Sequence, residues 1–174
     1  LPCTPIVHNG SKAINGGQYP LSVLGVTPHS AALYRNGIYG NTMTGNPRAL
    51  DIASAILSQF TPELRANIRA RGAQAVAKLE ALRAEHPDLI TKAQGTGLLF
   101  SCELSDAFKC YGSGSTEEYL REHGIGVIHG GTNSLRFTPH FRITGEEVDL
   151  VIDRVKQALL HGPRKSAGDA KAAA

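Results

Sequence analysis

The sequence lacks the features that most quickly assign a function. No apolar stretch approaches the ~20 residues of a membrane-spanning helix, so no membrane partner is expected. No secretory signal pattern opens the chain. Charge is mild and mixed in sign, with a formal net charge of +3 from 18 Lys and Arg against 15 Asp and Glu. No basic run is interleaved with aromatic residues, which argues against nucleic acid. The cysteines are few and odd in number (Cys3, Cys102, Cys110) and lack zinc-ligand spacing. They read as free thiols in a reducing compartment, with a cytoplasmic location and no metal site expected. Methionine is scarcer still: the chain begins at Leu1 and its one methionine is Met43. The polypeptide is therefore expected to continue upstream. No internal repeat is visible.

What is present suits a soluble globular protein: 174 residues, 41% hydrophobic and 19% charged, enough for a real core. Thr4 to His8 reads as a short buried strand and Leu21 to Val26 as a second, separated by a Gly16-Gly17 turn. Asn46-Pro47 and Thr61-Pro62 each start a helix, the second running to about Glu85 before His86-Pro87 stops it. Leu98 to Leu104 alternates as a strand. Ser115-x-x-Glu118 and Thr144-x-x-Glu147 are capping boxes opening a short helix, ending at Gly124, and a longer one. Between them, Ile125 to Ile128 and Leu135 to Thr138 form short strands around a Gly130-to-Asn133 turn. From Gly162 the tail is polar and alanine-rich. Alternating strands and helices predict an α/β to α+β protein.

Two basic residues invite chemistry. The first strand delivers Asn9-Gly10-Ser11-Lys12 to its end, where an ammonium is costly to desolvate without a partner. Lys12 is either an ordinary solvated lysine or a desolvated amine poised to form a Schiff base. Arg136 lies mid-strand between apolar neighbours, which requires a fixed anionic partner. That partner is either a substrate carboxylate held bidentately or a structural ion pair on an edge strand. His129 and His140 lack metal-ligand spacing and read as loop histidines. Gly124-x-Gly126-x-x-His129 lacks the third glycine of a dinucleotide fingerprint and follows a helix, so it is set aside.

Three segments, in order, carry a family resemblance. Lys12-Ala13-x-x-Gly16-Gly17-x-Tyr19-Pro20-x-Ser22 resembles the cofactor-lysine segment of class-III pyridoxal-phosphate aminotransferases, the ornithine-aminotransferase-like members most closely. Asn41-Thr42-Met43-Thr44-Gly45-Asn46-Pro47 is similar to their Ser-Thr-Tyr-Gly-Gly-Asn-Pro loop, departing from it at Met43 and Thr44. Leu135-Arg136-Phe137-Thr138-Pro139 resembles their Leu/Ile-Arg-Phe-x-Pro segment.

The resemblance implies the C-terminal part of a fold-type I transferase: the remainder of the large cofactor domain at 1–61, a linking helix at 62–88, a small α+β domain at 89–161 and a disordered tail at 162–174. It implies pyridoxal 5'-phosphate as cofactor and Lys12 as the aldimine lysine. It also implies that Thr42, with Asn41, holds the phosphate of a neighbouring subunit in a homodimer, and that Arg136 lies in the active site. The implied reaction moves an amino group between an amine or amino acid, including ω-amino donors of the ornithine type, and a 2-oxo acid. An aminomutase or racemase would share the same lysine and loop, and a non-catalytic assembly fragment is the reading from another class.

The family's Asp-Glu-x-Gln stretch and Gly-Ser/Thr phosphate turn, which precede the lysine, are both missing. Every aspartate here (Asp51, Asp88, Asp106, Asp149, Asp153, Asp169) follows Lys12. A missing N-terminal half is therefore the expected partner, and this segment alone is expected to be inactive.

Overall fold

A computed structural model of the chain describes residues 7–11, 16, 19, 21–37 and 45–165. Its contacts divide the chain into two units, Leu1–Thr61 and Pro62–Ala174.

In the first unit, β1 (Val7–Ser11) pairs antiparallel with β2 (Ser22–Val26), Val7 opposite Val26 and Ser11 opposite Ser22. The first strand thus lies further along than the expected Thr4 to His8, and residues 1–6 lie outside the described ones. It joins an antiparallel ribbon, and Lys12 falls in the segment connecting the two strands. Every residue of β2 is exposed. Thr27 caps the single turn α1 (Pro28–Ala31) by accepting the Ser30 N–H. Asn46 caps α2 (Pro47–Ser58), its Oδ1 accepting the Arg48 N–H at 3.0 Å and the Ala49 N–H at 3.4 Å. Proline follows in the first turn, where its missing N–H costs nothing. Ala49 and Ala53, one turn apart, are the buried residues of α2.

The second unit begins with α3 (Pro62–Glu85) and continues through the hairpin β3 (Ile90–Thr96) and β4 (Leu99–Leu104). Then come α4 (Thr116–Glu122), β5 (Ile128–Gly130), β6 (Ser134–Phe137) and α5 (Gly145–His161). The four strands form one antiparallel sheet in the order β3-β4-β6-β5. Strand periodicity divides the sheet into two faces. Phe100, Cys102 and Leu104 of β4, with Leu135 and Phe137 of β6, enter the core. There they join Ala75, Leu79 and Leu82 of α3 and Val148, Ile152, Val155 and Leu159 of α5. The Phe100 and Phe137 rings stack at 5.0 Å between centroids. On the other face, Gln94, Ser101, Glu103, Ser134 and Arg136 are half-buried or exposed.

Two local devices hold this arrangement. Helix α3 passes so close to the β3–β4 turn that a Cβ at Gly72 would collide with the carbonyl of Gly97. Gly97 itself turns with φ +55°, a left-handed conformation that glycine adopts cheaply. Beside the sheet, Asn133 Nδ2 donates to the carbonyls of Leu104 (3.2 Å), Ser105 (3.1 Å) and Phe108 (3.2 Å). Its Oδ1 accepts the Cys110 N–H at 3.0 Å, so one side chain fixes the path of residues 104–110.

The helix starts follow the sequence, with one difference. Thr144 forms the complete capping box with Glu147, bonded in both directions at 3.2 and 2.7 Å. Ser115 accepts the Glu118 N–H at 3.2 Å, but Glu118 Oε2 takes the Gly114 N–H, one residue upstream of the cap. The strand expected over Ile125 to Ile128 lies instead at Ile128–Gly130.

Candidate functional site

Arg136 is carried by β6, an inner strand, with Ser101 of β4 directly opposite on one side and Ile128 of β5 on the other. It therefore does not occupy an edge. Nor does it need a fixed anion, because the pleat sends Leu135 and Phe137 into the core and Arg136 to the open face. Among the described residues its guanidinium has no hydrogen-bond or ion-pair partner. The nearest acid along that face, Glu103, stands opposite Ser134, one row away, and accepts a hydrogen bond from Thr91 Oγ1 at 3.0 Å. Gly130 leaves room beside the arginine stem: a Cβ there would lie 3.6 Å from Arg136 Cδ.

Arg136 is among the residues that line two cavities. The first, of about 540 Å³, lies on the open face, where Gln94, Thr96, Ser101, Thr132 and Ser134 surround Arg136 with polar groups. The second, of about 320 Å³, opens at the ends of β5 and β6 and is largely apolar, lined by Ile125, Val127, Phe137, Ile143 and Val148. At its rim the Glu117 carboxylate, whose side chain is 7% exposed, is bound by Arg121 Nη2 at 2.5 Å and His129 Nδ1 at 3.3 Å. The His129 ring lies 4.0 Å from that of Tyr111, so this histidine is a strand residue in an aromatic and ionic cluster, not a loop one.

The other sequence-derived site residues, Lys12, Asn41 and Thr42, lie outside the described residues, as do Met43 and Thr44. Their flanks are described. β1 ends at Ser11, the residue before Lys12, Gly16 has φ +66°, and Asn46 caps α2 just beyond the loop. The cysteines Cys102 and Cys110 are free and buried. Burial pushes the Cys102 thiol up to about 12 and the Cys110 thiol up to about 11, with Cys110 and Glu117 respectively adding charge repulsion. Among the described residues no group of three or more His, Cys, Asp or Glu could hold a metal ion, and no helix is long and apolar enough to cross a membrane. Ser101 and Gln94, which share a cross-strand row with Arg136, were not singled out from the sequence. The signal was there, because alternation through Leu99–Leu104 sets Ser101 on the face opposite Phe100 and Cys102.

Comparison with known proteins agrees with this architecture. The family profile for aminotransferase class-III matches residues 2–159. Acetylornithine aminotransferase 1 of Pseudomonas syringae pv. tomato is 28% identical over 160 residues, covering 90% of this chain and 38% of the relative. The solved acetylornithine aminotransferase of Elizabethkingia anophelis superposes with a TM-score of 0.77 at 28% identity, covering 90% of this chain and 41% of that one. Ornithine delta-aminotransferase of Plasmodium falciparum shares the fold with a TM-score of 0.81 at 24% identity, covering 91% of this chain and 41% of that one. The chain spans about two fifths of the length of the relatives it matches. Its mixed α/β structure with a small antiparallel sheet is that of part of a fold-type I transferase. The chain belongs to the class-III aminotransferase family.

Proposed function

We propose that the chain supplies one side of the catalytic site of an aminotransferase that moves an amino group between an amine or amino acid and a 2-oxo acid. Class-III aminotransferases depend on pyridoxal phosphate. The observation that carries the reading is the guanidinium of Arg136, without an ion-pair partner among the described residues and held on an inner strand beside a polar cavity of about 540 Å³. A planar, always-charged fork without an internal anion is suited to a carboxylate, which both substrates of such a reaction can carry.

The donor set fits the cofactor from one side. Lys12 provides an amine directly after β1, followed by a turn with Gly16 at φ +66°. Thr42 and Asn41 provide hydroxyl and amide donors for a phosphate, just before the capped start of α2. When bound, the cofactor supplies an electron sink for the carbanion formed at the substrate carbon. Lys12 would hold it covalently and, once released, move the proton at the substrate carbon that bears the amino group. Arg136 would bind and orient the substrate carboxylate. No acidic residue precedes Lys12, where the resemblance puts the partner of the ring nitrogen, and Thr42 with Asn41 would serve the site of a second subunit in a homodimer. The names of the relatives make ω-amino acids of the ornithine type the first donors to try.

The test is reductive labelling. The chain is incubated with pyridoxal phosphate, reduced with borohydride and mapped by peptide mass. A single label on Lys12, lost in Lys12→Ala, supports the reading. Labels scattered over the exposed lysines would overturn it.

A further inference from the structure

The geometry points to a further ligand site in the second unit: an oxyanion site for inorganic phosphate or a small phosphate monoester, at the turn between β5 and β6. It goes beyond the aminotransferase reading and does not use Arg136.

A cavity of about 200 Å³ is lined by this turn, by residues 109–111 and by Lys165. Its lining carries two lysines, Lys109 and Lys165, and no carboxylate. By contrast, the sheet-face cavity includes Glu103, the apolar one includes Glu117, and a groove between α3 and α5 carries Glu85, Asp149 and Asp153. Among the described residues the lysines in ion pairs are Lys78 with Asp149 and Lys156 with Glu85, not Lys109 or Lys165. Glu117, the buried acid beside His129, is already bound by Arg121 and that histidine. Both lysines of the cavity are anchored. The Lys165 N–H donates to the Ala107 carbonyl at 2.9 Å, and its neighbour Arg164 stacks over the Phe108 ring at 4.6 Å. Lys109 Nζ donates to the Ser113 carbonyl at 3.1 Å, which uses one of the three protons of an ammonium and leaves two.

The turn adds neutral donors. Thr132 and Ser134 bring hydroxyls to the lining. Among the described residues no carbonyl accepts the N–H of Gly131 or of Thr132. Gly131 has φ +55°, and N–H groups about such a turn form concavities that attract anions. Asn133 shapes the turn but has its side chain committed to residues 104–110.

This donor set selects the anion. The lining holds no arginine fork to grip a planar carboxylate. A phosphate has several acceptor oxygens and nearly two negative charges, so it can meet two ammonium groups and the turn donors together. The volume falls below the about 300–1,000 Å³ of drug-sized ligand sites, which limits the ligand to a phosphate with few carbons.

Amide chemical shifts of the whole chain test the site. The probes are sodium phosphate and glycerol 3-phosphate, at an ionic strength held constant with sodium chloride, with glycerol as the uncharged control. Saturable shifts at residues 130–134 and 109–111 are expected with phosphate, and none with glycerol. Lys109→Ala and Lys165→Ala should each weaken binding about threefold, as for exposed ion pairs, and the double variant about tenfold. Lys165→Arg should keep the affinity. Lys156→Ala, in the α3–α5 groove, should leave it unchanged.

The two sources of phosphate separate in the same titrations. Shifts with phosphate alone assign the site to the free anion, and tighter binding of glycerol 3-phosphate assigns it to a phosphorylated metabolite. No saturable shift at the turn overturns the site. So does undiminished binding in the double variant, or equal weakening by Lys156→Ala, which would mean diffuse attraction of anions to the surface. Shifts confined to residues around Thr42 would belong to the cofactor phosphate and overturn it as well.

Discussion

Ser101 and Arg136 stand directly opposite each other on β4 and β6, and the hydroxyl side chain leaves the guanidinium without a charged partner. Glu103, two residues further along β4, is engaged by Thr91. The sheet therefore exposes a positive charge that no described residue on its own face neutralises.

From this arrangement, Arg136→Met is expected to leave stability within about 0.5 kcal/mol, as for a surface change that breaks no partner. Urea denaturation checks it. A loss of about 2 kcal/mol or more would mean that the arginine is tied structurally. Arg136→Lys should keep the charge but lose the bidentate fork, weakening carboxylate binding about tenfold.

Asn133 predicts the opposite balance. Its side chain makes four hydrogen bonds to the backbone of residues 104–110. Each is worth roughly 1 kcal/mol net, so Asn133→Ala should cost about 2–4 kcal/mol in a denaturation curve. Asn133→Asp should not recover the loss, because a carboxylate can accept from Cys110 but repels three carbonyl oxygens.

At the crossing of α3 and the β3–β4 turn, Gly72→Ala puts a methyl group onto the Gly97 carbonyl. Alanine gains about 1 kcal/mol in helix propensity over glycine. Overpacking costs about 1–3 kcal/mol. The net change is expected to be destabilising by up to about 2 kcal/mol, visible as a lowered Tm. A stabilised Gly72→Ala would show that the helix can lift from the turn without loss.

The buried thiols set an alkaline limit. Cys102 is raised to about 12 and Cys110 to about 11 from an ordinary value of 9.0. Above pH 9 the unfolded chain gives up these protons and the folded chain keeps them. Their stabilisation is thus complete below pH 9 and is lost as pH rises through 11 to 12. Each thiol contributes a slope of about 1.4 kcal/mol per pH unit in that window. Cys102→Ala should flatten the decline in a pH series of urea midpoints. Cys102 and Cys110 should also resist alkylation at pH 8 until the protein is unfolded.

Helix starts were legible because their signals are local: Asn46 before Pro47, and Thr144 with Glu147, satisfy their own backbone groups. β3 was not legible, since its pattern is spoiled from within. A register shift between Ile90 and Lys92 interrupts the pleat. Gly95 takes a place where a Cβ would strike Phe100 and Val76. Pairing with β4 makes it a strand, and a single sequence does not show its partner. Arg136 was legible as an unusual residue, but its surroundings were not, because its apolar neighbours lie on the opposite face of the pleat. Lys12, Asn41 and Thr42 were assigned site roles only through family resemblance. A lone lysine and a glycine-containing loop have many ordinary uses.

The position of β6 has a consequence for how the protein is made. Of the four strands of this sheet it is the last to be synthesised, yet it lies between β4 and β5 and joins the hairpin to the remaining strand. A nascent chain that stops before Phe137 has its earlier strands in hand but no means of closing the sheet. The strand that completes the sheet also delivers Arg136, so the unit has no early product that is folded and lacks the arginine. Closing the sheet and placing Arg136 are the same step of synthesis.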